Sequence, residues 1–503
     1  MVTLLIKNLV FLKNNLVKNV FSTIFYLFII NSCNLFLNPF LLSNLGSIYF
    51  ATLRTSQKFL DVVVGLDGGA IQALKWKIAH NSLSDNYFVH MEHTYLAMKR
   101  IFQYLPLMLI ASLFINWKLS NSLESSDLNQ FYAFTCLMML ALSSILTSLG
   151  SIFESILIGM NLNYKPMLVR CVAYIVSTLL VIILLDFGLG LLGAVIAISI
   201  NVILVNFSNF VIARKSFHWI KYSKIANVKK SSKLTMNLFS RQIWIWEAIQ
   251  RLTLMSEIIV LVFLGEQHLI TQLIFMNFGF QLGLTVLQQV TGAITPKIAS
   301  KFGSGTVKNS INTVVTVRYL VLSVALICSL ILISTNTLFV EKWAGQSVVL
   351  SPLCNFLLGI MFLQTALFRV DSQLIDTTLK VREKFRSSLF SLILAILLGV
   401  LTFKITHSVE ALIFSLIFSR TVLSFSYARL VNRYLSPVKW KLSIISACLI
   451  MIGLTYLTTS TYRFNFIEIT IWNLVLLFVY FLILPKNIRS NIHLGIRSMH
   501  ENE

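Results

Sequence analysis

Apolar runs of roughly twenty residues recur along the chain, separated by short polar segments, and each is near the ~20 residues that a helix needs to cross a bilayer. About fourteen such spans are predicted, at 20–42, 46–74, 98–117, 131–159, 166–186, 189–212, 241–264, 269–294, 312–334, 350–370, 386–404, 409–430, 441–459 and 466–484. All should be helices, because lipid cannot satisfy the backbone groups that an open strand or loop would leave exposed. The second and fourth spans are the least apolar. No external loop exceeds about fifteen residues and the largest cytoplasmic one holds about thirty, so no space remains for a soluble catalytic domain. The fold class expected is an all-α membrane protein.

Composition strengthens this picture. Of 503 residues, 56% are hydrophobic and 12% charged, against about 25% charged in soluble domains. Mean hydropathy is +0.80, too high for the apolar content to be hidden in one core. A net charge of +22 would suggest nucleic acid in a soluble protein. Here the basic residues lie between apolar runs and in alternate loops, so no nucleic-acid partner is expected. The segment 213–241 holds Arg214, Lys215, Lys221, Lys224, Lys229, Lys230, Lys233 and Arg241, and further clusters lie at Lys75, Lys77, Lys99 and Arg100, at Lys297, Lys301 and Lys308, and at Lys380, Arg382, Lys384 and Arg386. The other loops hold only Lys118, Lys342, Lys404 and Arg463. By the positive-inside rule both termini and the 213–241 segment are cytoplasmic, and that segment can also touch anionic lipid. Lys7, Lys13 and Lys18 precede the first run, which ends in NSCNLFLNPF without a small-residue cleavage site. A retained first helix is expected rather than a signal peptide.

Metal chemistry is not expected. Cys33, Cys136, Cys171, Cys328, Cys354 and Cys448 stand singly in or beside apolar runs, and no carboxylate or Cys cluster completes a site at His90 and His93.

Weak internal repeats are visible. GLDGGAIQALKWKIA at the end of the second span matches QLGLTVLQQVTGAITPKIA at the end of the eighth, both finishing in Lys-Ile-Ala at 77–79 and 297–299. SILIGMNLNYKPMLVR (155–170) matches QLIDTTLKVREKFRSSL (373–389). The organisation expected is an N-lobe over 1–212, a basic cytoplasmic linker over 213–240, a C-lobe over 241–435, and two further helices with a cytoplasmic tail over 436–503. Transporters are often built from such repeats, with the site between them.

Charge inside the spans is the most informative feature. Arg54, Lys58 and Asp61 fall on one face of the second span, at spacings of four and three, with Ser47, Gly65 and Gln72 on the same stripe. Each charge near mid-bilayer costs about 2.5–3.5 kcal/mol on insertion scales, so the stripe should face a water-filled cavity or a partner. A structural ion pair of Arg54 or Lys58 with Asp61 is the alternative, and it leaves one cation over. The eighth span carries Asn277, Gln281, Thr285, Gln288, Gly292 and Thr295 on one face. Aligning Lys77 with Lys297 places Asp61 on Gln281 and Gly65 on Thr285, so two polar faces suggest one cavity between the halves; interhelical hydrogen bonding is the alternative. The seventh span adds Glu247 and Arg251, four apart as in an ordinary intrahelical pair, with Glu257 beyond; Arg251 is the deeper and the better cavity candidate. The fourth carries Ser143, Thr147, Ser151 and Glu154, and the first Asn31, Asn34 and Asn38, with Pro39 able to bend it. Asp67, in Gly65-Leu66-Asp67-Gly68-Gly69, lies off the Arg54 face and should cap or pair near the cytoplasmic end.

These segments resemble a family. GLDGGAIQALKWKIA, TPKIASKFGSG, and ESILIGMNLNYKPMLVR followed by FGLGLLGAVIAIS resemble the corresponding elements of Wzx-type polysaccharide (O-antigen) flippases, over roughly residues 20–430. That family belongs to the MOP (multidrug/oligosaccharidyl-lipid/polysaccharide) exporters. The resemblance implies a MATE-like fold of two pseudo-symmetric six-helix lobes around a central cavity, in the bacterial inner membrane. It also implies movement of an undecaprenyl-pyrophosphate-linked oligosaccharide from the inner to the outer leaflet. Fourteen spans rather than twelve is a departure, similar to the lipid II flippase branch.

The substrate so implied carries pyrophosphate, and a cavity with surplus cations would attract it. Arg54, Lys58 and Arg251, with Gln281 and Gln288, are the candidate substrate-binding residues. Asp61, Glu154 and Glu257 are candidates for coupling to H⁺ or Na⁺, and no other cofactor is expected. Membrane lipids and other polysaccharide-assembly membrane proteins are the candidate partners. A multidrug or cation antiporter of the same superfamily would need a carboxylate-rich cavity, and a lipid II-type flippase is a further alternative. A membrane-embedded enzyme would need a large external or acidic metal-binding loop. A scaffold would not need aligned charged stripes.

Overall fold

Glycine decides where the long apolar runs break. The computed structural model describes residues 15–80, 87–121, 127–220, 230–288, 291, 307–376, 381–435, 442–461 and 466–483. The first two predicted spans form one helix, α1 (Asn15–Val64), which runs through Pro39 and breaks at Gly46 (φ 77°, ψ 167°), a backbone region open essentially to glycine alone. The second span ends at Val64 rather than at 74. Gly68 and Gly69 take φ of 73° and 69°, and Asp67 then starts α2 (Ala70–His80). Asp67 Oδ1 accepts from the Gly69 N–H and Oδ2 from the Ile71 N–H, both at 2.8 Å. Arg100 closes this turn from α3 (Tyr87–Asn121), donating Nε to the Gly68 carbonyl at 2.7 Å. The expected capping role of Asp67 is therefore what the structure contains.

This turn sets up a stability test. A Cβ on Gly69 would lie 2.2 Å from the Ser240 carbonyl oxygen, whereas one on Gly188, also at positive φ (77°), would meet nothing within 4 Å. Positive φ alone costs an L-residue roughly 1–2 kcal/mol, and forced overlap with backbone adds roughly 1–3 kcal/mol. Gly69→Ala should therefore lower the thermal unfolding midpoint of the purified protein more than Gly188→Ala does. Equal shifts would show that the α2 turn is not tightly packed.

The remaining helices are α4 (Asp127–Gly159), α5 (Tyr164–Asp186), α6 (Gly190–Ser216), α7 (Lys230–Leu254), α8 (Ser256–Leu264), α9 (Gln267–Met276), α10 (Phe278–Gln288), α11 (Val307–Ala344), α12 (Pro352–Asp376), α13 (Val381–Thr406), α14 (Val409–Tyr434), α15 (Leu442–Thr461) and α16 (Phe466–Ile483). No strand occurs among the described residues. Nine helices among them are long and apolar enough to span a membrane, and α9 with α10, bent by 52°, makes a tenth. The larger predicted number is accounted for piece by piece. The helix α1 holds two predicted spans, α7 and α8 share the seventh, and α15 and α16 carry apolar stretches shorter than a full span (Ile444–Thr459 and Ile471–Tyr480). The basic segment was expected as a loop, yet its residues from Lys230 onward are helix. In α7 polar positions alternate with buried Met236, Ser240, Ile243 and Ile249, the pattern of an amphipathic surface helix.

The chain forms two compact units, Met1–Met255 with Gly265–His268, and Ser256–Leu264 with Leu269–Glu503. Inside the first, α3 packs on α4, α4 and α5 on α6, and α1 on α5. Inside the second, α11 packs on α12, α12 and α13 on α14, and α8 on α13. Counted by span, the two arrangements are the same, which is the pseudo-symmetry that the sequence repeats predicted. Ion pairs recur too. Arg170–Glu154 (2.7 Å) ties α5 to α4, and Lys384–Asp376 (2.5 Å) ties α13 to α12. In the second unit Tyr480 of α16 hydrogen-bonds with Ser323 of α11 (3.1 Å), and Asn473 donates to Ser334 (3.1 Å). Exposed apolar stripes such as Phe390, Ile393, Leu397, Leu401 and Ile405 on α13 are what a helix presents to lipid. The protein is a multi-pass membrane protein.

Candidate functional site

In the first unit the polar stripe of α1 divides into two groups. Arg54 Nη1 donates to Gln57 Oε1 at 3.0 Å, and Nη2 donates to Asn38 Oδ1. Its guanidinium also lies 5.8 Å from the Phe50 ring centroid. Tyr174 of α5, whose hydroxyl donates to Asn34 Oδ1 at 2.7 Å, is close enough to interact electrostatically with it. Arg54 is thus held by neutral oxygens, and the charge of Lys58 acts on the Asp61 carboxylate. The asparagines of the first span, Asn34 and Asn38, belong to this group.

The second group lies two helical turns further along α1. Arg251 of α7 donates Nη1 to the backbone carbonyl of Asp61. Gly65 makes room for it, since a Cβ there would lie 3.1 Å from the Arg251 Cζ. The Asp61 side chain is exposed, and the charges of both Arg251 and Lys58 act on its carboxylate. The charge of Glu247, with that of Glu154, acts on Lys75 of α2.

Two proposed coupling carboxylates have cations of their own. Glu154 is buried and paired with Arg170. Glu257, 3% exposed, pairs with Arg420 (2% exposed) at 2.8 Å, and Arg420 also donates to Ser256 Oγ at 3.0 Å.

In the second unit the predicted stripe is interrupted at its start, because Asn277 is buried at the bend between α9 and α10. Gln281 is exposed on α10. Gln288, two turns on, lies elsewhere, in a small cleft with Thr291, Arg369 and Gln373. Gly292, Thr295, Lys297, the Lys-Ile-Ala at 297–299 and the other residues of TPKIASKFGSG lie outside the described residues. So do Lys221, Lys224, Lys229, Lys301, Lys380 and both extreme termini. His90 and His93 are buried on α3, with His90 stacked on Trp219 at 5.7 Å, and no group of three metal-ligating side chains occurs among the described residues.

No family model matches the sequence, and no curated protein does. Solved structures match it. The lipid II flippase MurJ, in an inward closed conformation, aligns with a TM-score of 0.65 and 15% identity, over 92% of this chain and 97% of its own. The eukaryotic MATE transporter AtDTX14 aligns at 0.64 and 15% identity, over 89% and 100%. An outward-facing multidrug resistance MATE family transporter of the MOP superfamily aligns at 0.57 and 13% identity, over 84% and 95%. The chain has the MOP fold.

The second unit also holds interior charges, among them Lys384, which the sequence places in a basic loop cluster and the structure buries. Arg318 of α11 approaches Asp371 of α12 through Nε to Oδ1 at 2.8 Å and Nη2 to Oδ2 at 3.0 Å. Lys384, fully buried, reaches Asp376 and also donates to the Ser372 carbonyl and hydroxyl at 3.0 Å. Arg369 lies on α12 between these pairs. A signal for it exists: Thr365, Arg369 and Gln373 recur at every fourth residue on one face of α12.

Proposed function

We propose that the protein is a flippase that moves an undecaprenyl-pyrophosphate-linked oligosaccharide from the cytoplasmic to the outer leaflet of the bacterial inner membrane, with both termini cytoplasmic. One observation carries this reading. The arginines of the first unit's polar face, Arg54 and Arg251, are hydrogen-bonded by amide and backbone oxygens, and with Lys58 they outnumber Asp61, the carboxylate on the same stripe. A surplus of positive charge in a membrane protein is matched to an anionic cargo. Arg grips phosphate oxygens through two parallel donors, and Lys58 adds a point charge. Gln281, exposed on α10, and Gln288 are candidate donors to sugar hydroxyls. The site would open alternately to each side of the membrane. An inside-negative potential would favour outward movement of the anion by about 2.3 kcal/mol per charge per 100 mV.

The multidrug or cation antiporter reading has the fold likeness in its favour. It needs carboxylates free to hold a cation, and Glu154 and Glu257 are each answered by an arginine. Asp61 is exposed and remains the candidate for H⁺ or Na⁺ coupling. The deciding assay follows outward movement of lipid-linked glycan in cells with the gene deleted and then restored. Restoration should return surface glycan. Normal movement in the deleted cells, or drug resistance as the one restored property, would sink the flippase reading.

A further inference from the structure

His90 and His93 stand one turn apart near the start of α3, only 1% and 6% exposed. The helix is 35 residues long, longer than the ~20 that a bilayer needs, and its predicted span begins at 98. The two histidines therefore lie beyond the span, on the side of the segment that follows α6. The His90 ring stacks on Trp219 at 5.7 Å, and Phe217 packs on the same indole at 6.0 Å. Trp219 and Ile220 are buried in one apolar core with Met91 of α3, Ile156 of α4 and Ile243 of α7. This contact fixes the start of the chain that joins α6 to α7.

Neither imidazole is placed to carry a charge. A protonated imidazole has two N–H donors, and the Nδ1 atoms of His90 and His93 are buried without a hydrogen-bond partner among the described residues. Burial pushes both pKa values down. That of His93 falls to about 4, where Lys77 of α2 adds to the effect of burial, Glu92 of α3 opposes it and His90 adds to it. His218, beside Trp219 in the chain, is exposed. The Trp219 face attracts a cation, yet only movement towards water satisfies both N–H groups of a charged ring. We propose that the docking of Trp219 on α3 is an acid-sensitive latch, released when the His90–His93 pair takes up a proton. A released imidazole binds its proton at about pH 6.5, whereas a docked one does so only at lower pH. Docking is therefore complete above about pH 6.5 and weakens as the pH falls, by up to about tenfold per pH unit for each histidine. For His93 the weakening continues down to about pH 4. Acid on this side would thus loosen the chain between α6 and α7, whatever the protein carries.

The test uses the full chain in detergent micelles, labelled with fluorotryptophan and followed by fluorine NMR from about pH 8 to about pH 5, a range that brackets the free imidazole. The line lost in Trp219→Phe is that of Trp219. It should move towards the position of an exposed indole as the pH falls below about 6.5. With His90→Gln and His93→Gln combined it should keep its place across the range, while His218→Gln should titrate as the wild type does. Lys77→Met removes a charge that opposes the proton, so the transition should move to higher pH. Glu92→Gln removes one that favours it, so the transition should move to lower pH. A pair that only fills space predicts neither shift. The latch is overturned if the Trp219 line ignores pH, or if it responds equally in the wild type and the double variant. Should the double variant fail to fold, Lys77→Met and Glu92→Gln, which keep both histidines, decide the question: an unchanged transition in both overturns the proposal.

Discussion

Arg420→Met is expected to destabilise the protein by about 3–5 kcal/mol, the range found when one partner of a buried ion pair is removed. Both side chains are almost wholly enclosed, Arg420 at 2% and Glu257 at 3% exposure. The substitution leaves the Glu257 carboxylate buried without this cation, with Ser256 losing a donor as well. Removing both charges, in Arg420→Met with Glu257→Leu, should recover most of the loss, because a well-packed apolar pair is often as stable as the buried ion pair it replaces. Thermal unfolding in detergent, read for the two single variants and the double, gives the coupling between the sites. Equal destabilisation in single and double variants would refute the pair as the source. The double variant also separates functions. Under the flippase reading Glu257 is structural, and the double variant should still move lipid-linked glycan. If it is stable and inactive, Glu257 takes part in coupling.

That ion pair marks the limit of what the sequence made legible. The spans were readable because lipid imposes a length and an apolar composition on each helix, and nearly every predicted span coincides with a helix or a helical piece. Breaks were harder to place. The second span was read through to 74, since apolarity continues past Val64, but two glycines at positive φ and the Asp67 cap end the helix earlier. Residues 230–240 look like linker in the sequence because they are polar and basic. An amphipathic helix is also charged, and it needs only a narrow apolar face to pack. Within one helix, spacing of three or four residues reveals which charges share a face, and this found Arg54, Lys58 and Asp61. It cannot reveal partners on other helices. Arg420 and Glu257 are 163 residues apart and Arg318 and Asp371 are 53 apart, so each looked like an isolated charge in an apolar run. The same limit applies to Glu247 and Arg251, whose local spacing cannot reveal that Glu247 acts on Lys75 and that Arg251 donates to the Asp61 carbonyl.

Arg251→Ala should reduce glycan translocation by about 10- to 100-fold without a matching loss of protein from the membrane. A hydrogen bond to a charged group contributes about 1.5–3 kcal/mol, and each 1.4 kcal/mol is a factor of about ten. Arg251 meets a backbone carbonyl and lies over Gly65, and the Asp61 carboxylate on which its charge acts is exposed, so its removal should cost less stability than that of Arg420. Its loss should therefore appear in transport and leave stability largely intact, and this contrast is what distinguishes a cargo-binding arginine from a structural one. Arg251→Lys should retain part of the activity, since the charge stays but the two-pronged grip is lost. Arg54→Ala should behave in the same direction, because Asn38 and Gln57 lose only a donor. Asp61→Asn adds a further distinction. If Asp61 only tempers the neighbouring cations, neutralising it should leave transport intact or strengthen hold of the anion. If it couples an ion, transport should lose its dependence on the proton or sodium gradient. Surface glycan and membrane-localised protein, measured together for each variant, provide the check. Normal glycan at normal expression in Arg54→Ala, Lys58→Ala and Arg251→Ala alike would mean that the cations of this face do not bind the cargo.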